Sequence, residues 1–133
     1  MPRDPLLDEQ LTGSVIGAFF EVYNTLGFGL LEQLYSAALE RELRIRGHRV
    51  DREFQVVVTY KGTVLGKQRL DLVVDERLVV EVKSTARLSR VATRQLYSYL
   101  HATGLHVGLL MHFGPEPKFY RVVHLDDARG GAP

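Results

Sequence analysis

Cysteine is absent from the whole chain, which excludes disulfides and any thiolate metal site. Nor is there an apolar run close to the roughly 20 residues that a membrane-spanning helix needs. The N-terminal stretch has no apolar core of the kind found in signal peptides, so the expected compartment is the cytoplasm. Neither sign of charge is in excess. Seventeen Lys and Arg stand against sixteen Asp and Glu, a net charge of +1, and bulk electrostatics therefore do not announce a nucleic-acid binder. Internal repeats, linkers and low-complexity segments are missing, as are a phosphate-binding glycine motif, a nucleophile elbow and a zinc signature. The glycine pattern in "GFGLLE" lacks the preceding strand that a dinucleotide site requires.

What remains is an ordinary globular composition, 45% apolar and 25% charged over 133 residues, long enough for one core and too short for two. One domain is expected over residues 1–125, with "DDARGGAP" (126–133) as a flexible tail. Leu7, Leu11, Val15, Ala18, Val22 and Leu26 recur at the spacing of one helix face. The glycines of "GFG" break that pattern, and a second helix is expected from about Leu30 to Arg46, stopped by Gly47. Three β-branched segments follow, near Val50–Tyr60, Val64–Val74 and Leu78–Lys83. Helical spacing returns in "LSRVATRQLYSYLHATG", with Ser89 as the expected N-cap, and "HVGLLMHF" and "KFYRVVHL" read as two final strands. A three-strand meander followed by a crossover helix implies an α/β fold with a mixed sheet of about five strands flanked by helices.

The apolar run "DLVVDERLVVEVK" carries Asp71, Glu81 and Lys83. Residues two apart in a strand share a face, so Glu81 and Lys83 point one way and Leu78, Val80 and Val82 the other. A three-residue loop of Asp75, Glu76 and Arg77 would set Val74 against Leu78 and Asp71 against Glu81, whereas a two-residue loop would lose the cluster. Facing carboxylates repel, and a hard divalent cation would relieve them. The alternative is an exposed strand that merely solvates one face. Glu32 falls within the apolar arc of its helix, beside Tyr35, either to serve a site or to favour the helix start as an acid. From Lys83 to Arg94 there are four bases and no acid. On the helix after Lys83, Arg87, Arg90, Arg94 and His101 fall within one narrow sector suited to phosphate contacts, with Gln95 and Tyr99 at its border. A solvated face is the plainer reading of that stripe. The histidines have no metal-ligand spacing, and His106 and His112 read as punctuation of a strand.

"GLLEQLY" (Gly29, Glu32, Tyr35) resembles the motif of the GxxExxY proteins, and "RLDLVVDERLVVEVK" resembles the Asp…Glu-x-Lys core of the PD-(D/E)xK, or restriction-endonuclease-like, nucleases. The likeness runs from about Leu11 to Val123. It implies a mixed sheet between helices and Mg²⁺- or Mn²⁺-dependent phosphodiester hydrolysis. Asp71, Glu81 and Glu32 would bind metal, and Lys83 would orient or activate water. Gln95 and Tyr99 match a Gln-xxx-Tyr signature on the following helix. Phe28 stands where proline is expected, and His112 where asparagine is.

Two functions of different class follow. One is a Mg²⁺-dependent nuclease, with DNA as the expected substrate and Arg87, Arg90, Arg94, Gln95 and Tyr99 as nucleic-acid contacts. The other is a non-catalytic nucleic-acid-binding or assembly module that retains the nuclease-like fold. A homodimer would give so small a domain a second basic surface.

Overall fold

The computed structural model describes residues 5–125, with side chains from residue 9 onward; the expected tail, 126–133, lies outside the described residues. Helices α1 (Pro5–Leu26) and α2 (Glu32–Ile45) precede strands β1 (Val50–Tyr60), β2 (Thr63–Val74) and β3 (Leu78–Lys83). Helix α3 (Ala92–Thr103) then leads to β4 (Val107–Phe113) and β5 (Pro117–Val123). The five strands lie in chain order in one sheet. All neighbours are antiparallel except β3 and β4, which α3 joins as a crossover. The expected mixed sheet between helices is what forms. No described helix is long and apolar enough to cross a membrane.

Each face of the sheet has its own core. Val15, Phe19 and Val22 of α1 and Tyr35, Leu39 and Leu43 of α2 pack on Leu72, Val80, Val82 and Leu109. On the other face Ala92, Leu96 and Leu100 of α3 pack on Val56, Leu70, Val73, Val79 and Leu110. Strands β3 and β4 are covered on both sides, which is why "LVV" and "VGLLMHF" read as continuous apolar runs. Gly108 admits the helix closely, since a Cβ there would meet the Leu96 side chain at 2.8 Å.

The turn between β2 and β3 decides the register that the site depends on. Val74 faces Leu78, Val73 faces Val79 and Leu72 faces Val80, the pairing expected of a three-residue loop. Asp75 and Glu76 both take positive φ, 52° and 58°, a costly conformation for residues other than glycine. Asp75 is held there from outside. Its carboxylate accepts from the Arg49 N–H at 2.8 Å and meets His48 Nδ1 at 2.7 Å. Its own N–H donates to the Arg49 carbonyl at 2.8 Å. His48 Nε2 in turn meets Ser14 Oγ at 2.7 Å. A line from α1 through the α2–β1 corner thus braces the turn. Although Ser, His and Asp form the line, Ser14 sits within α1, and we assign the line to structure.

Asp75→Ala removes the acceptors that stabilise the turn, and should lower stability by about 2 kcal/mol. Asp75→Asn, which tolerates positive φ and can still accept from Arg49, should cost less. Urea unfolding of the two variants checks this, and equal losses would contradict the brace.

Candidate active site

Beyond Leu72 and Val80 the β2–β3 pairing stops, and side chains take over the hydrogen bonds of the ladder. The Asp71 N–H donates to Glu81 Oε2 at 3.0 Å. The Val82 N–H donates to Asp71 Oδ2 at 2.7 Å. Each carboxylate is therefore fixed by the opposite strand, and the two acids meet in the fork where the strands part.

The electrostatics follow from that position. Glu81 is only 6% exposed. Burial and then the Asp71 charge push its carboxyl up to about 8, while the Asp71 N–H and Lys83 pull the other way. Asp71 is also raised, chiefly by burial and also by Glu32, against the Val82 N–H, Lys83 and Arg69. The Tyr99 phenol, carried on α3, is raised by burial and then by Glu81 and Asp71. Asp71, Glu81, Lys83, Glu32 and Tyr99 thus belong to one electrostatic neighbourhood.

Glu32 departs from expectation. It is exposed rather than inside an apolar arc, because it is the first residue of α2. Its Oε2 accepts from the Ser84 N–H at 3.0 Å, and Ser84 Oγ donates to the Leu30 carbonyl at 2.5 Å. Tyr35 is buried, stacks on Phe113 with centroids 3.9 Å apart, and donates its hydroxyl to the Gly27 carbonyl. Gly29, at φ 118°, permits the bend between them. The Gly, Glu and Tyr of the motif therefore bend the loop, tie it to the end of β3 and anchor it in the core. Phe28, Leu30, Leu31, Glu32, Ser84 and Thr85 line an open cleft of about 600 Å³.

The arginine stripe does not form. Helix α3 starts at Ala92, because the Ser89 carbonyl accepts from the Ala92 N–H at 3.1 Å and Ser89 Oγ accepts from the Val91 N–H at 3.3 Å, closing a turn first. Ser89 is therefore not the N-cap. Arg87 and Arg90 are exposed in the connection before the helix, and only Arg94 and His101 lie on it. Arg94 sits 5.0 Å over the Tyr97 ring and, with Ser98, His101 and His124, lines a cavity of about 240 Å³. Gln95 is exposed one turn before Tyr99.

His112 is more than punctuation. It lies beside Lys83 across the parallel pair and is 5% exposed. Its Nε2 donates to the Thr85 carbonyl at 2.8 Å, fixing the segment that leaves Lys83. Its Nδ1 is buried, with no hydrogen-bond partner among the described residues. A histidine on the site-facing parity of a buried strand was the available signal.

A model of the PD-(D/E)XK nuclease superfamily matches residues 9–122. The chain belongs to that superfamily. No curated protein matches. Among solved structures, one titled "Crystal structure of SSO0001" is similar in fold, with a TM-score of 0.56 and 22% identity. The match covers 72% of this chain and 52% of that one, so the chain spans about half the length of that structure.

Among the described residues no three His, Cys, Asp or Glu side chains converge as a ready-made metal cage. Glu32 accepts from the Ser84 N–H instead of joining the two acids. Two oxygen donors held in a fork, their negative charge disfavoured by burial, still fit a hard cation such as Mg²⁺, which commonly keeps several waters and takes only one or two protein carboxylates.

In metal-free protein Glu81 keeps its proton between its ordinary pKa and about 8, where the unfolded chain has lost it. The folded state then binds more protons, so stability should fall as pH rises from about 5 to 8, by at most about 1.4 kcal/mol per pH unit for one proton. Glu81→Gln should flatten that dependence and stabilise the metal-free protein at pH 8. Mg²⁺ binding at pH 7 should release about one proton, read by calorimetry in buffers of different ionisation enthalpy. A wild-type stability that rises from pH 5 to 8 would contradict the assignment.

Proposed function

We propose that the protein is a Mg²⁺- or Mn²⁺-dependent nuclease that hydrolyses phosphodiester bonds of DNA. The observation that carries this reading is the reciprocal fixing of two carboxylates, Glu81 buried and Asp71 half-buried, by opposing strands, with Lys83 two residues beyond Glu81. Asp71 and Glu81 would hold the metal, and Glu32 would reach it after leaving Ser84 or through water. When bound, the cation supplies Lewis acidity toward a phosphate oxygen and a more acidic water.

The chain's own groups have separable tasks. Lys83 offers an ammonium to the attacking water or to a phosphate oxygen, where charge accumulates during displacement. Tyr99, close enough to the acids to feel their charge, would position substrate or water together with Gln95. Arg87, Arg90 and Arg94 would contact phosphates as scattered charges rather than as one stripe. The three distinct tasks of Gly29, Glu32 and Tyr35 support a place among the GxxExxY proteins, and the cytoplasm suits the cysteine-free chain.

A second reading, a non-catalytic nucleic-acid-binding module, is favoured by the engagement of Glu32 with Ser84. Incubating the protein with DNA and RNA, single-stranded and duplex, in Mg²⁺, Mn²⁺ or chelator separates the two. Lys83→Ala and Asp71→Asn should each lower metal-dependent cleavage at least about 100-fold, the scale of losing one group that stabilises transition-state charge, while DNA affinity in chelator changes little. Glu32→Gln should lower turnover and leave stability within about 1 kcal/mol. Full cleavage by Lys83→Ala would overturn the assigned chemistry.

A further inference from the structure

On the far side of the fork, toward the β1–β2 turn, the sheet narrows to a ribbon of two strands. Residues 61–69 are all exposed, as are Gln55, Val57, Thr59 and Tyr60. The register sorts the ribbon into two faces, because directly paired residues share a side. Val56–Gln68, Val58–Gly66 and Tyr60–Thr63 form one face, and Val56 ties it to the α3-side core. Gln55–Arg69, Val57–Lys67 and Thr59–Val64 form the other. The second face carries Lys67 and Arg69, and Lys61 stands at the tip, 5.4 Å over the Tyr60 ring. Between Glu53 and Asp71 the ribbon has these three bases and no acid. Arg69 lies 3.8 Å from Glu53, but both side chains are well exposed, so the pair is weak.

We propose that this ribbon is an arm that grips duplex DNA, with Lys61, Lys67 and Arg69 on backbone phosphates flanking the bond presented to Asp71 and Glu81. The proposal rests on the nuclease reading of the site. Arg69 precedes Asp71 by two residues and Lys67 by four on the same strand; β2 turns over between Leu70 and Leu72, which pack in opposite cores, so the bases reach the fork from the sheet face opposite Glu81 and Lys83. A two-residue step along a strand is about 6.7 Å, close to twice the ~3.4 Å rise per phosphate along one strand of B-DNA. Two strands about 4.8 Å apart fit the roughly 12 Å major groove of B-DNA, which admits a β-ribbon; the deep, narrow major groove of A-form RNA does not. The register shift at Val58/Thr59 strengthens local twist, as following a groove requires.

The exposed Val57, Val64 and Leu65 raise a competing occupant, a second copy of the chain. Charge disfavours it. A two-fold interface sets one patch against itself, and this patch carries two bases, of which only Arg69 has an acid nearby, Glu53 at 3.8 Å. DNA supplies the opposite charge, and thymine methyl groups offer contacts for the apolar side chains.

The test is fluorescence anisotropy of a labelled DNA duplex of roughly 21 base pairs, about two helical turns, titrated in chelator at several salt concentrations. The protein carrying Lys61→Gln with Lys67→Gln should bind about tenfold more weakly at low salt, and its plot of log affinity against log salt should be shallower by about 1.8. Circular dichroism should be unchanged, and an RNA duplex of the same sequence should bind less tightly and ignore both substitutions. If the double variant titrates like wild type while Arg87→Ala, Arg90→Ala and Arg94→Ala abolish binding, DNA is held elsewhere and the arm is wrong, with the nuclease reading intact. If sedimentation reveals a dimer that Leu65→Glu dissociates, and the lysine changes leave DNA binding alone, the ribbon serves self-association and the proposal is overturned. If wild type neither binds any nucleic acid nor cleaves it with Mg²⁺, the nuclease reading falls and the arm falls with it.

Discussion

Two backbone N–H groups at the end of a ladder govern this molecule. Where β2 and β3 part, the amides of Asp71 and Val82 have no opposing carbonyl, and a buried amide left unpaired costs about 1–3 kcal/mol. The carboxylates of Glu81 and Asp71 take their places. That exchange closes the hydrogen bonding of the sheet and fixes the two acids relative to each other. It also concentrates negative charge where burial opposes it. The fork is a structural joint whose backbone is completed by the groups whose ionisation the surroundings resist, and on the proposed reading it would also hold the cation.

Everything that sets the register of β2 against β3 therefore reaches the site. A slip of one residue would turn every side chain of a strand to the other face and carry Asp71 away from Glu81. The turn that prevents this contains two residues with positive φ, an arrangement with little intrinsic stability. Its support comes from His48, Arg49 and Ser14, which reach it from the α2–β1 corner and from α1. The end of β3 is treated similarly. Glu32 holds Ser84 from one element and His112 holds Thr85 from another, so Lys83 lies between a fixed fork and a fixed exit.

Much of this was legible in the sequence because it depends on local rules. Strand alternation placed Glu81 and Lys83 together, and counting residues in "DER" gave the pairing of Val74 with Leu78 and hence the position of Asp71. Periodicity located the helices within a few residues. What escaped depends on contacts between distant segments. Ser89 has the chemistry of an N-cap but closes a preceding turn, which moved the start of α3 and dispersed the arginines. Glu32 shares the angular sector of Leu39 and Leu43, but a wheel does not show where along its axis a helix leaves the core; as the first residue of α2, Glu32 is exposed and reaches Ser84. The role of His112 could not be inferred until the parallel pairing put it beside Lys83, and the Ser14–His48–Asp75 line joins residues that no local pattern connects.

The distribution of stability bears on function. Raised carboxyl pKa values mean that the metal-free protein forfeits stability whenever Asp71 and Glu81 are ionised together, and a Gln at position 81 would keep the hydrogen bond to the Asp71 N–H without that penalty. A fork selected only as a joint would gain from such a replacement. The carboxylate is the better choice only if something positive comes to it. Arg69 and Lys83 supply part of that charge from neighbouring positions, but neither fully offsets the burial of Glu81, whose carboxyl remains raised to about 8. On the proposed reading a divalent cation would relieve the remaining imbalance, and bases at the rim would bring a phosphate backbone toward it.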